Sequence, residues 1–406
     1  MQLNVFAFAV PLFLFFIGME YYIARKKGKV YHHFNETVAN LNVGIAERLI
    51  DLFTAGAFYF FYNYLHRHFA LFTIQPSFLL WVVLLLGTDF LWYWYHRFGH
   101  EVNLFWAAHV VHHQSEDFNL TTGTRITVLQ AVARTAFWSV LPVIGFPAQM
   151  ITTILIVHGL YPFFTHTQLV GKLGILEYVL VTPSHHRVHH ASNEIYLDKN
   201  YGDMFIIWDK LFGTFAKETE PAAYGLTKSL NSYSFLWQHF HFFVELGLAL
   251  RRQKGIVNKL KIVFGSPSEF DPSIRLLAEK KFLSKRQIKA PTHRFRGYVL
   301  GQSAFTLVLL FGLLLLEHHV PLLPEIVTSL FILLTLTNIG AVLEQRRWIF
   351  YLEYSRLILL IIAIVYVYPN PEVILFFTYL FFLTVIYFNT IRTFYFRAVY
   401  GSKIYS

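Results

Sequence analysis

The sequence predicts an all-α integral membrane protein, a multispan helical bundle of about nine spans. Its composition is 55% hydrophobic and only 14% charged, with mean hydropathy +0.45, whereas soluble domains carry about 25% charged residues. Repeated apolar runs approach the roughly 20 residues that a spanning helix needs. The basic residues of this +10 chain lie in loops between those runs. That distribution matches the positive-inside bias of membrane proteins rather than nucleic-acid binding. With no cysteine, disulfides, Fe–S clusters and thiolate-ligated haem are excluded.

The first expected span is Asn4 to Ile23, followed by the basic run Arg25 to Lys29. It lacks a basic leader and an A-x-A-like cleavage site, so it reads as a retained span rather than a signal peptide. The second runs from Ile45 to Leu65, and the third from Phe78 to Tyr95 delivers His96 at its end. Ile126 to Ile144 and Ala148 to Phe164 read as a helical hairpin broken at Gly145-Phe146-Pro147. A basic, partly apolar region from His166 to Arg296 follows, with an amphipathic stretch, Phe235 to Leu250, suited to the membrane surface. Four more apolar segments complete the set: Tyr298 to Leu316, Ile326 to Leu343, Leu357 to Tyr368 and Val373 to Thr390. The Leu357 to Tyr368 segment is short enough to be re-entrant.

With the N-terminus outside, nearly every Lys and Arg falls in a cytosolic loop, and so do the chain's histidine groups. Arg134 is the misfit, an intramembrane charge that costs a few kcal/mol unless paired. Three regions are expected: a catalytic membrane region 1–264, a cytosolic linker 265–297 rich in Pro, Ser and Lys, and a C-terminal transmembrane region 298–406.

Eleven of the twenty histidines lie between His96 and His190. Eight form three tight groups: His96/His100 spaced H-x3-H, then His109/His112/His113 and His186/His189/His190, each spaced H-x2-H-H. On a helix, residues three and four apart share a face, so each group aims its rings one way. Eight nitrogen ligands exceed what one six-coordinate ion accepts, so the count implies two metals. A lone H-x3-H is common by chance. Two triplets beside it are not, even in a chain with 20 histidines among 406 residues. His166 is a candidate ninth ligand, His158 is expected to be an internal hydrogen-bonded group, and His185 competes with His186, which the spacing favours. The remaining histidines lack this spacing and read as interfacial residues.

Imidazole alone does not select among Fe, Zn, Cu and Ni. The zinc-protease motif H-E-x-x-H fails at Leu104, and no Glu-x-x-His occurs, so a carboxylate di-iron signature is also missing. What remains is a dinuclear site with nitrogen ligands. A metal-bound histidine commonly passes its other N–H to a carboxylate or carbonyl. Glu101, Asp89, Asn200, Asp203 and His185 are the candidates for that supporting role, with Asp117 a further one. Arg187 could hold a carboxylate near the metals or meet a lipid phosphate.

The order H-x3-H, H-x2-H-H, H-x2-H-H on a multispan scaffold resembles the fatty acid hydroxylase and sterol desaturase superfamily. The likeness sharpens in Asp89 to Arg97, Ser115 to Leu120, Thr182 to His190, Asp198 to Gly202, Ile206 to Phe215 and Leu334 to Gly340. There the chain is similar to the alkylglycerol-cleaving branch. The resemblance implies two Fe ions and an O2-dependent hydroxylation of the carbon next to a glyceryl-ether oxygen. The hemiacetal so formed would collapse to a fatty aldehyde and a glycerol product, with tetrahydrobiopterin as electron donor. It also implies a lipid substrate drawn from the bilayer, and residence in the endoplasmic reticulum of a eukaryote or the cytoplasmic membrane of a bacterium. A sterol, fatty-acid or carotenoid hydroxylase is the nearest alternative, because the motifs determine metals and not substrate. A zinc-dependent membrane hydrolase is the alternative of another class. A metal transporter is disfavoured, since transport sites lie near the bilayer midplane.

Overall fold

A computed structural model of the chain describes residues 3–283, 292–346 and 348–401. The elements are α1 (Ala9–Lys26), α2 (Phe34–Phe69), α3 (Phe78–Glu101), α4 (Asn103–His109), α5 (Leu120–Gly123), α6 (Gln130–Trp138), α7 (Val140–Ile144), α8 (Ala148–Thr165) and α9 (Pro183–His189). They continue as α10 (Ile207–Phe212), α11 (Phe235–Arg252), α12 (Ile256–Phe264), α13 (Ser273–Phe282), α14 (His293–Leu315), α15 (Leu322–Leu343), α16 (Ile349–Val367), α17 (Pro371–Ile386) and α18 (Phe388–Tyr400). Extended pairing among the described residues is limited to two isolated bridges, Leu180 with Phe205 and Ala191 with Tyr224. The chain divides into two compact units, one of Phe13–Asn231 with Gln238–Ser284, the other of Met1–Leu12, Ser232–Trp237 and Lys285–Ser406.

Among the described residues, six helices are long and apolar enough to cross a membrane: Val5–Lys26, Phe78–Glu101, Ala148–Thr165, His293–Leu315, Leu322–Leu343 and Ile349–Val367. The pair Pro371–Ile386 and Phe388–Tyr400, bent by 80°, makes a seventh if it is one span. This is fewer than the nine expected. The expected second span lies within a 36-residue helix, α2, that carries Glu47, Arg48 and Asp51. The fourth is divided into α6 and α7, of nine and five residues. Pro142 has no N–H for the carbonyl four residues back, which favours that break. The segment expected to be short, Leu357 to Tyr368, is the second half of the 19-residue α16.

The charges on α2 and α6 are paired. Arg48 sits 2.5 Å from Glu47 and 2.9 Å from Asp51. Arg134 lies 3.9 Å from Glu47 with its guanidinium 6.0 Å from the Trp92 ring centre. Pairing removes the penalty expected for a lone intramembrane cation.

In the histidine-bearing unit, Leu84, Trp92 and Tyr95 of α3 pack on Trp138 of α6 and on Met150, Ile151 and Ile154 of α8. Trp138 meets Trp92 and Tyr95 with ring centres 5.7 Å apart in both cases. Lipid tails are as apolar as these side chains, so shape fit rather than water exclusion binds such helices. Each aromatic contact adds about 0.5–1.5 kcal/mol. This packing sets α3 beside α8, and both helices end in histidines.

At Gly44, α2 passes the turn after α5 so closely that a Cβ would sit 2.7 Å from the Thr124 carbonyl oxygen. Gly44→Ala is expected to cost about 1–3 kcal/mol, as overpacking does. A lowered unfolding midpoint in mild detergent checks it.

Part of the expected linker is folded. Ile274 and Ala278 of α13 are buried, and Arg275 donates to Glu245 Oε1 at 2.9 Å and to the Lys228 carbonyl at 2.9 Å. Residues 284–291 of that stretch, and the last five of the predicted C-terminal region, lie outside the described residues. In the second unit, Glu353 of α16 accepts from Asn338 at 2.6 Å and from Arg356 at 2.5 Å. The Asn338 contact joins α15 to α16, and interhelical polar contacts of this kind hold apolar helices in register.

Candidate metal centre

Four parts of the chain bring histidines together. The last turns of α3 carry His96 and His100. His109 ends α4, and a 3₁₀ turn, His112–Gln114, presents the next two. His166 caps the C-terminus of α8. His186 and His189 lie on α9 and His190 caps it. Helix α9 starts cleanly because Pro183 occupies its first turn and Thr182 forms a capping box with His185. His185 Nδ1 is 3.3 Å from the Thr182 amide, so its ring serves the cap rather than a metal.

The nine other rings form two groups. One contains His96, His100, His109, His113 and His189; the other contains His112, His166, His186 and His190. Within each group the ligand nitrogens lie within 4.8 Å of one another. In the first, Nε2–Nε2 distances are 3.1 Å for His96–His109, 3.1 Å for His109–His113 and 3.2 Å for His100–His113. In the second, His166 Nε2 lies 3.2 Å from His112, 3.1 Å from His190 and 2.9 Å from His186. The rings of His113 and His190, one from each group, stack at 4.4 Å. The groups are neighbours.

These distances suit ions. With metal–nitrogen bonds of about 2.1 Å, cis ligands at right angles stand about 3.0 Å apart and trans ligands about 4.2 Å. The tautomers point the same way. His112 Nδ1 faces the Arg125 carbonyl at 3.0 Å and His166 Nδ1 faces the Pro162 carbonyl at 2.6 Å. A neutral imidazole carries one N–H, so in both rings the hydrogen sits on Nδ1 and Nε2 is bare. Two bare nitrogens 3.2 Å apart repel unless a cation lies between them. Burial, reinforced by neighbouring imidazoles, holds His109, His113, His186, His189 and His190 well below the ordinary imidazole value. Burial likewise pushes His112 down to about 4. Neutral rings are the form that binds metal. The donor set fits a histidine-ligated metal centre.

Comparison with known proteins agrees with this geometry. The fatty acid hydroxylase family matches residues 81–214, which include every histidine of both clusters. Alkylglycerol monooxygenase of Homo sapiens is 33% identical over 345 residues, covering 83% of this chain and 77% of the human protein. That of Danio rerio is 33% identical over 370 residues, covering 89% and 83%, and that of Xenopus tropicalis is 34% identical over 346 residues, covering 84% and 77%. The chain belongs to the fatty acid hydroxylase and sterol desaturase superfamily. It is thus a multispan membrane protein of an oxidoreductase superfamily, with a histidine-based metal site and moderate homology to the alkylglycerol monooxygenases. No solved structure matches it.

In this superfamily member four of the nine rings are oriented by backbone carbonyls. His96 Nδ1 faces the Tyr201 carbonyl at 2.7 Å and His189 Nδ1 the Lys199 carbonyl at 3.0 Å, as His112 and His166 face those of Arg125 and Pro162. Carbonyls have no residue signature, so sequence reasoning missed them. It also missed Asp198, whose Oδ1 lies 3.6 Å from His100 Nδ1, and the buried Arg125. The Arg125 guanidinium donates to the Val111 carbonyl at 2.6 Å, to Asn40 at 3.0 Å and to Gln114 at 2.6 Å.

The supporting residues expected from sequence sit elsewhere. Glu101 follows His100 by one residue, hence about 100° around the helix, and pairs with Arg97 at 2.9 Å. Asp89 and Asp203 both face His158, at 2.8 Å from Nε2 and Nδ1 respectively. Two carboxylates on opposite edges of one ring make a buried acid–imidazole–acid chain, and a histidine cannot offer both nitrogens to one ion. Asn200 donates to the carbonyls of His185 at 3.1 Å and Ala216 at 2.8 Å rather than meeting a ligand ring. Asp117 accepts from the His33 amide at 2.6 Å. Arg187 forms a two-point pair with Glu218, at 2.7 Å through both Nε and Nη2. It also ties down the Thr167 and Val170 carbonyls after His166.

Proposed function

We propose that the chain is an O2-dependent di-iron monooxygenase that hydroxylates the carbon next to the ether oxygen of alkylglycerol lipids. The observation that carries this reading is the gathering of nine imidazoles into a five and a four, in a chain whose relatives include alkylglycerol monooxygenases over three quarters of their length. His96, His100, His109, His113 and His189 would hold one iron, and His112, His166, His186 and His190 the other. Such ions, when bound, supply the redox chemistry of O2 activation. The protein supplies neutral, pre-aimed nitrogens in largely buried surroundings.

The overall reaction balances with a two-electron donor, a role we assign to tetrahydrobiopterin. The ether R–CH2–O–glycerol, O2 and two reducing equivalents with two protons give R–CH(OH)–O–glycerol and water. One oxygen atom enters the C–H bond; the other leaves as water. The hemiacetal then breaks its C–O bond to release an aldehyde and a glycerol, with no further oxidant. A lipid ether lies near the headgroup boundary, and these histidines lie at helix ends. In this reading the site faces the cytosol, and the alkyl tail stays among the apolar spans.

The test is membranes carrying the full chain, a labelled alkylglycerol, O2 and reduced pterin. Labelled fatty aldehyde is expected, and only with all three present. No aldehyde together with turnover of a sterol or free fatty acid would replace the substrate assignment. A second reading has one observation in its favour: a 29% identity over 140 residues to a protein named ornithine lipid hydroxylase OlsE of Rhizobium tropici. It predicts a hydroxylated lipid that keeps its chain intact. Zinc with anaerobic turnover would instead indicate a hydrolase.

A further inference from the structure

We propose that residues 198–209 form a positioning segment serving the five-histidine cluster alone, with Asp198 and Asp209 as its working side chains. The inference rests on the two-metal reading of the site. Three of the five rings in that cluster have their Nδ1 atoms directed at three nearby positions of this segment. His100 meets Asp198 Oδ1 at 3.6 Å, His189 the Lys199 carbonyl at 3.0 Å, and His96 the Tyr201 carbonyl at 2.7 Å. In the four-histidine cluster, His112 and His166 use carbonyls from other parts of the chain, Arg125 and Pro162. For these five rings the two groups draw on different parts of the chain, although Asn200 also bonds the His185 carbonyl of α9.

The segment has an unusual backbone. Asp198 and Asn200 have φ of 58° and 56°, the left-handed region, with Lys199 between them. Non-glycine residues there cost about 1 kcal/mol each and persist only where the surroundings hold them. Those surroundings are present. The Asn200 amide donates to the Thr214 carbonyl at 3.0 Å, and its side chain bonds Ala216 at both amide and carbonyl, 2.8 Å each. Asp209, fully buried, accepts from the Tyr201 amide at 2.7 Å, the Gly202 amide at 2.8 Å and the Thr214 hydroxyl at 2.7 Å. A Cβ on Gly202 would stand 2.6 Å from the Phe205 carbonyl oxygen and 2.9 Å from Asp209 Oδ2. The carboxylate thus fixes the peptide whose carbonyl aims His96. Changing it to an amide sets an NH2 group against one of those backbone N–H groups.

Loss of a group that orients a metal-bound histidine typically weakens metal binding about 10–100-fold. The experiment uses the full chain in detergent or nanodiscs, produced with ⁵⁷Fe and dialysed against a chelator, with iron per chain and Mössbauer spectra as readouts. Unaltered protein should keep two irons as two distinct signals. Asp198→Asn and Asp209→Asn should each lose the same signal and keep the other, and Asp198→Glu should partly restore it. Unchanged iron in both variants, or parallel fading of both signals, overturns the proposal. If Asp209→Asn does not fold, Asp198→Asn decides, since that side chain is about half exposed. Unaltered protein binding a single iron would instead refute the di-iron reading. The positioning role would then be decided by whether the Asp198 variant releases that ion faster.

Discussion

Replacing His112 with alanine is expected to empty the four-histidine cluster while the five-histidine cluster keeps its ligands. Metal content should fall from two ions per chain to about one, and aldehyde formation by more than about 100-fold. That is a larger loss than removing a supporting partner causes. The reason is how the two triplets are shared. His109 and His113, four apart, enter one group, and His112 between them enters the other. His186 and His190 mirror this in the second group, with His189 crossing to the first. Each triplet therefore places two rings in one cluster and one in its neighbour. Changing His113, the next residue, should empty the other site. Metal analysis and spectra of the two single variants check this, and identical residual signals in both would sink the partition.

Neither the crossing nor its geometry was legible in the sequence. On a regular helix, residues i, i+3 and i+4 share a face, so each triplet reads as a single unit. In the first triplet the regular helix ends; in the second, His186 and His189 lie on one helix and still enter different groups. Helix α4 ends at His109 and a 3₁₀ turn begins at His112, while α9 ends at His189 with His190 as its cap. What the spacing did carry was which residues could meet, His166 among them as a candidate. Its ring is reached because α8 stops at Thr165, which apolar run length brackets to within a turn.

Supporting contacts were harder to foresee. A carboxylate one residue from a ligand looks close in sequence but points away, as Glu101 does. Four of the rings are held by peptide carbonyls, three from elsewhere in the chain and one, that of Pro162, from the preceding turn of the same helix. Six or seven candidate spans among the described residues stand against the nine expected, because hydropathy counts apolar runs. It sees neither that Arg134 answers Glu47 from another helix nor that Pro142 and Tyr387 interrupt runs that look continuous.

Asp89→Ala should be the most destabilising single change in the histidine-bearing unit. Both of its oxygens are fully used inside a site closed to solvent: Oδ1 by His158 Nε2 at 2.8 Å and the Met204 amide at 2.9 Å, Oδ2 by the Trp208 indole at 2.9 Å and the Phe205 amide at 3.2 Å. Through them α3 is tied to α8 and to the chain that leads into α10. Alanine strands four donors with no water to replace the carboxylate. Breaking one member of a buried charged pair costs about 3–5 kcal/mol, and each orphaned donor about 1–3 kcal/mol. Shared networks are not additive, so a loss of at least about 3 kcal/mol is expected, read as a fall in the unfolding midpoint. A loss within the range of ordinary surface substitutions, about 0.5 kcal/mol, would mean that another group takes up the donors. The functional signature should differ from that of His112→Ala. The Asp89 carboxylate bonds His158 and the 204–208 stretch rather than any of the nine clustered rings, so its loss acts through the fold. Lower temperature or added lipid should restore part of the Asp89→Ala activity and none of the His112→Ala activity.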